Sequence, residues 1–162
     1  MKTNIILILS LVALLASCTK KPNQYPDEPQ IYHLSTTPDI INLNDTAALV
    51  KIELRFTDGN GDIGRDSKEE TYSIYVRDSR DTSTAQDYSF RYPFPYVADY
   101  MRPKKGGLEG FITLNLGRDY FSVSDSLHLA LRKDTLNFKI YIRDDAGNIS
   151  NVVDTDPIYI EF

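Results

Sequence analysis

Hydrophobic and polar positions alternate over several stretches of the chain. "ALVKIELRF" (48–56) sets Val50, Ile52, Leu54 and Phe56 on one face and Lys51, Glu53 and Arg55 on the other. "TYSIYVRD" (71–78) places Tyr72, Ile74 and Val76 on one side. "GFITLNL" (110–116) offers Ile112, Leu114 and Leu116 or the opposite set, and "LNFKIYIRD" (136–144) alternates Leu136, Phe138, Ile140 and Ile142 with polar partners. A period of two marks strands with one buried face. Shorter stretches at 30–36, 39–43, 86–92 and 156–162 have the same character, and 119–131 suits a turn or a short helix. About seven short strands joined by Gly, Asn and Asp turns predict an all-β chain folded as an immunoglobulin-like β-sandwich. With no Trp, and the only Cys outside the domain, it is expected to lack the disulfide and the buried Trp of antibody domains.

The N-terminus has a different pattern. After Met1-Lys2-Thr3-Asn4, residues 5–15 carry no charge, and small residues follow to Cys18. A basic start, a short apolar run and small residues predict a secretory signal peptide over 1–17. The run is too short to cross a bilayer, which needs about 20 apolar residues. "CTKKPNQYPDEP" (18–29) holds three prolines and no apolar period, so it is expected to be a flexible tether ahead of a domain at 30–162.

Leu15-Ala16-Ser17-Cys18 resembles the lipobox of bacterial lipoproteins. The resemblance implies cleavage before Cys18, diacylation of its sulfur and acylation of the new amine. Cys18 is the only cysteine, so no disulfide can form within the chain and lipid attachment would use its thiol. Two or three acyl chains hold a protein to a membrane where one is marginal. Thr19, in place of an Asp after the cysteine, points within that resemblance to the outer membrane. Lys20 and Lys21 precede Asp27 and Glu28, which leaves both faces of that membrane open.

Without residues 1–17 the chain has 17 basic and 23 acidic side chains, a net −6. Nucleic acid calls for clustered Lys and Arg, and no cluster larger than a pair such as Lys104-Lys105 occurs. "VKIELRFTDGNGDIG" and "DTLNFKIYIRDDAGNISNVVDTDPIYI" resemble a group of small Bacteroidota-type lipoproteins, whose last hairpin is like that of Ig-like and cadherin-like modules. The resemblance implies fold and location, and no activity.

Asp58, Asn60 and Asp62 stand at the first, third and fifth places of a calcium loop, with Gly64, Asp66 and Glu69 at later EF-hand places. Ile63 stands where that loop needs Gly, and the flanks read as strands, which argues against an EF-hand. Another calcium site is open to a sandwich. The loops after its second and sixth strands share one end, which would gather Asp58, Asn60, Asp62, Asp66, Asp144 and Asp145 around Ca²⁺. Arg65 and Arg143 would offset part of that charge. The plainer reading comes first: Asp-Gly and Asn-Gly are good turn formers, and turn chemistry explains every glycine here.

"YSFRYPFPYVADY" (88–100) holds six of the 18 aromatics. Tyr88, Phe90, Tyr92 and Phe94, spaced by two, are expected to cover the core, and Pro93 and Pro95 restrict the stretch to an edge strand or a crossover. Tyr96 and Tyr100 are the candidates for recognition of a protein or a sugar ring. Catalytic signatures are sparse. His33 and His128 do not form a metal-ligand pair, and no G-x-S-x-G elbow or P-loop occurs. The expected protein is a non-catalytic binding or structural module of the cell envelope, held by lipid at Cys18, with a protein or glycan partner. The alternatives are a small envelope hydrolase and a calcium-dependent accessory module for glycan capture.

Overall fold

The computed structural model describes residues 24–65, 72–81, 90–104, 106–121 and 131–162. The segment 1–17, Cys18 and the first part of the tether lie outside the described residues. Among the described residues, ten strands follow one another: β1 (Gln30–Thr37), β2 (Ile40–Asn42), β3 (Leu49–Asp58), β4 (Tyr72–Asp78), β5 (Phe90–Pro93), β6 (Leu108–Gly117), β7 (Lys133–Leu136), β8 (Phe138–Ile142), β9 (Val153–Asp154) and β10 (Ile158–Glu161). One sheet has the order β1-β3-β6, and two further ladders run β2-β10-β7 and β5-β4-β8-β9.

Those two ladders are connected. Only Asn137 separates β7 from β8, and the returning chain is interrupted opposite it, between β9 and β10. There the Thr155 N–H donates to the Phe138 carbonyl at 2.9 Å and the Phe138 N–H to Thr155 Oγ1 at 2.9 Å, carrying the pairing across the break. The result is an all-β, sandwich-like fold with one core between its layers. The chain changes sheets at the cis Thr37–Pro38 bond, since β1 pairs with β3 while β2 lies parallel to β10.

The inward sets follow the period of two. Val50, Ile52, Leu54 and Phe56 are buried on β3, Ile112, Leu114 and Leu116 on β6, and Leu136, Phe138, Ile140 and Ile142 on β7 and β8. The stretch expected as one strand over 136–144 is thus two strands of unbroken inward parity. Tyr72 departs from expectation, because it is exposed while Ile74 and Val76 are buried. The β4–β5 register slips between Tyr72 and Ile74, and the irregularity turns Tyr72 away from the core. Within 119–131, a 3₁₀ turn covers Arg118–Phe121, and 122–130 lies outside the described residues.

The "DDAGNISN" segment closes the fold by hydrogen bonds. Ser150 exchanges bonds with the backbone of Ile142, and the Asn151 side chain bonds both the N–H and the carbonyl of Ile31 at 2.9 Å, joining this segment to β1. At the end of the sandwich where β4 finishes, Arg80 donates to Asp78 at 2.6 Å and to the buried Asp134 at 2.6 Å. Burial alone would lower the Arg80 guanidinium, but its bonds to the two carboxylates hold it above its ordinary value.

Gly110 faces the core opposite Phe56. A Cβ there would stand 2.7 Å from Phe56 Cε1, and the Phe56 ring is fixed edge-to-face on Phe94 at 5.0 Å. Gly110→Ala is expected to lose about 1–3 kcal/mol by urea denaturation, the cost of overpacking. Gly117→Ala, where a Cβ meets nothing within 4 Å, should stay within about 0.5 kcal/mol of the parent. Equal losses would contradict this packing.

Candidate functional site

The residues singled out by the sequence gather at the end of the sandwich where β3 finishes. Asp58 is fully buried, and its carboxylate accepts from the N–H groups of Gly61 at 3.2 Å and Ile63 at 2.9 Å. Asn60 Oδ1 accepts from the Asp62 N–H at 3.1 Å, and its amide donates to Asp62 Oδ2 at 3.1 Å. Gly61 and Gly64 take φ of 66° and 68°, the left-handed values that the Asn-Gly and Ile-Gly steps of this turn require. Ile63 is buried beneath the loop.

The loop's carbonyls face the other way, onto Arg102. One terminal nitrogen of its guanidinium donates to the carbonyls of Gly61 at 2.6 Å and Ile63 at 3.0 Å. The other donates to Gly64 at 2.8 Å and Val97 at 2.9 Å. The Arg102 side chain is only 10% exposed. A planar guanidinium offers donors in a fixed fork, so it satisfies several carbonyls at once.

The second loop meets the first, as the sandwich geometry led one to expect. Asp145 Oδ2 accepts from the Arg65 N–H at 3.0 Å. Asp144 is buried and accepts from the Asn148 backbone and side-chain amides, each at 2.7 Å. Burial pushes the Asp58 carboxyl up, with the charge of Asp144 adding to it, while the N–H groups of Ile63 and Gly61 pull the other way. Asp62 is raised by burial and then by the charges of Asp144 and Asp58. Among the described residues, no group of three or more acidic, His or Cys side chains is placed to hold a metal ion. Asp58 and Asp144 serve as turn acceptors, and Asp66 lies outside the described residues.

The aromatic stretch divides in two. Phe94 is buried, while Phe90 and Tyr92 pack on Tyr120 with ring centroids at 4.7 Å and 6.2 Å. Beyond Pro95, Tyr96 is 55%, Tyr100 88% and Met101 60% exposed, while Val97 packs against the core. Tyr88 lies outside the described residues. A groove of about 430 Å³ has Tyr100, Met101, Gln24 and Tyr25 among its lining residues.

Residues 24–29, expected within the tether, lie against the domain. The Gly59 N–H donates to the Pro26 carbonyl at 2.7 Å, and Pro29 is buried. The Tyr25 hydroxyl donates to Glu109, which Arg55 also holds at 2.6 Å, and these two bonds keep the Glu109 carboxyl below the usual range.

A row of side chains crosses the outer face of β1-β3-β6. The Arg55 guanidinium lies 5.1 Å from the centroid of the Tyr32 ring, and Phe111, opposite Arg55 in the β3–β6 register, is 73% exposed. An aromatic on the polar parity of "GFITLNL" is the signal that marks Phe111. No local pattern marks Arg102. His33 Nε2 lies 2.8 Å from Thr36 Oγ1, and His128 is outside the described residues. Compared with family models, curated proteins and solved structures, the chain matches none.

Arg102→Met removes a donor from four carbonyls, of which that of Gly64 keeps the Val97 N–H at 2.9 Å, and is expected to lose about 3 kcal/mol by urea denaturation, the order seen when a buried charged network is broken. Arg102→Lys should recover only part, and a loss below about 0.5 kcal/mol for Arg102→Met would contradict the clamp. Calcium gives a separate check. A ligand at 100 times its Kd adds about 2.7 kcal/mol. Because Asp58, Asp144 and Asp145 already accept from N–H groups of the two loops, millimolar Ca²⁺ should leave the melting temperature unchanged, and a rise would show a calcium site.

Proposed function

We propose that this chain is a lipid-anchored protein of a bacterial outer membrane, and that its sandwich is a non-catalytic module that binds an envelope protein or a glycan, or forms a structural part of the envelope. One observation carries the anchor: Cys18, the only thiol, closes an uncharged run at the place where a lipobox requires it. The "DGNGDIG" and "DDAGN" segments support a place among small Bacteroidota-type lipoproteins. The strand order β1-β3-β6 against β2-β10-β7 and β5-β4-β8 supports an immunoglobulin-like sandwich. The binding role draws on exposed aromatic area. Tyr32 and Phe111 join apolar surface to the Tyr32 hydroxyl, a mixture suited to a protein surface or a sugar ring.

The test is purification of the native protein from membranes, with mass spectrometry of its first peptide and of whatever co-purifies. A mature chain that begins at Cys18 with added acyl mass, accompanied by a protein or a glycan, is the expected result. A chain that starts elsewhere without lipid would contradict the anchor. Turnover of an envelope polymer by the pure protein would contradict the non-catalytic role.

A further inference from the structure

We infer that the loop end of the sandwich, through Tyr96, Tyr100 and Met101, rests on the headgroup layer of the bilayer that holds the anchor. The inference builds on acylation at Cys18 and goes beyond it to the orientation of the domain and the lipid contact of three side chains.

Chain length is the first argument. Six residue steps separate Cys18 from Gln24, and a fully extended chain covers at most roughly 3.5 Å per step, or about 20 Å. The headgroup region on each side of a bilayer is itself roughly 5–8 Å deep. The tether is no longer than this because the chain is docked from Gln24 onward. Pro26 accepts from Gly59 at 2.7 Å, and a Cβ on Gly59 would stand 2.2 Å from the Tyr25 carbonyl oxygen, so only glycine admits that approach.

The second argument is what surrounds Gln24. It lines the same groove as Tyr100 and Met101, and the adjacent Arg102 is bonded to the 58–65 loop. Tyrosine suits the membrane interface, where its ring meets apolar surroundings and its hydroxyl meets water. Lys20 and Lys21 lie in the tether and Lys104 is exposed on the same loop, which favours anionic headgroups. Asp99, exposed beside Tyr100, opposes that attraction, so the apolar contact of Tyr100 and Met101 carries the orientation. Phe111 is then left free of lipid on the outer face of its sheet, available to a partner.

Acylation consumes the only native thiol, so one introduced cysteine is the sole site for a label. Tyr100→Cys keeps Tyr96 and Met101. Thr46→Cys is the control, because β3 runs 10 residues, roughly 30 Å, from the far end to this one. The full-length acylated protein is placed in vesicles of phosphatidylethanolamine and phosphatidylglycerol that contain headgroup-nitroxide lipid. Fluorescence at position 100 is expected to be quenched several-fold more than at position 46. Equal quenching in an acylated, vesicle-bound chain overturns the orientation and leaves the anchor standing. An unacylated chain that stays in solution overturns both.

Discussion

Arg102 gathers four backbone carbonyls onto one guanidinium, and the loop end of this protein depends on that contact. The 58–65 loop folds over the sandwich with peptide groups that cannot all reach water or a neighbouring strand. Buried polar groups must find partners. Asp58 takes N–H groups from below and Arg102 takes carbonyls from above, so a buried anion and a buried cation are joined through the peptide dipoles between them. Tyr96, Tyr100, Met101 and the groove beside them all sit on this arrangement. So does the docking of Tyr25 and Pro26, because Gly59 belongs to the same loop.

The opposite end of the sandwich follows a related rule. There Arg80 binds Asp78 and the buried Asp134. Between the two arginines the core is almost wholly aliphatic and aromatic, with Ile the commonest residue. Core packing therefore fixes how the layers meet, while charged side chains bonded to backbone or to one another fix the ends. The repeated acids and amides of the two loops, which invite a metal reading, are used up in large part by this work: Asp144 is bound by Asn148, and Asp145 by the backbone of Arg65.

The strands were legible because burial on one face imposes a period of two, as in Val50, Ile52, Leu54 and Phe56. The meeting of the 58–65 and 144–148 loops was legible too, once a sandwich was assumed. Other features were not. Tyr72 shares the parity of Ile74, and only a cross-strand irregularity turns it outward. The break at Asn137 leaves the inward parity intact, so nothing in the sequence announces it. Proline-rich composition read 24–29 as tether, while the contact that docks it needs the absent side chain of Gly59, far along the chain. Arg102 lies about forty residues from the carbonyls it binds in the loop, with no periodic signal around it.

The bond pattern of the Arg102 side chain can be observed in solution. Guanidinium ¹⁵N–¹H spectra of ¹⁵N-arginine-labelled protein, with Arg102→Lys used for assignment, report whether its terminal nitrogens are held. Separate, slowly exchanging signals for the two nitrogens, unchanged when a chelator is added, are the result expected of a clamp that needs no metal. A single averaged signal that exchanges as fast as those of exposed arginines, or resolved signals that vanish with the chelator, would contradict it.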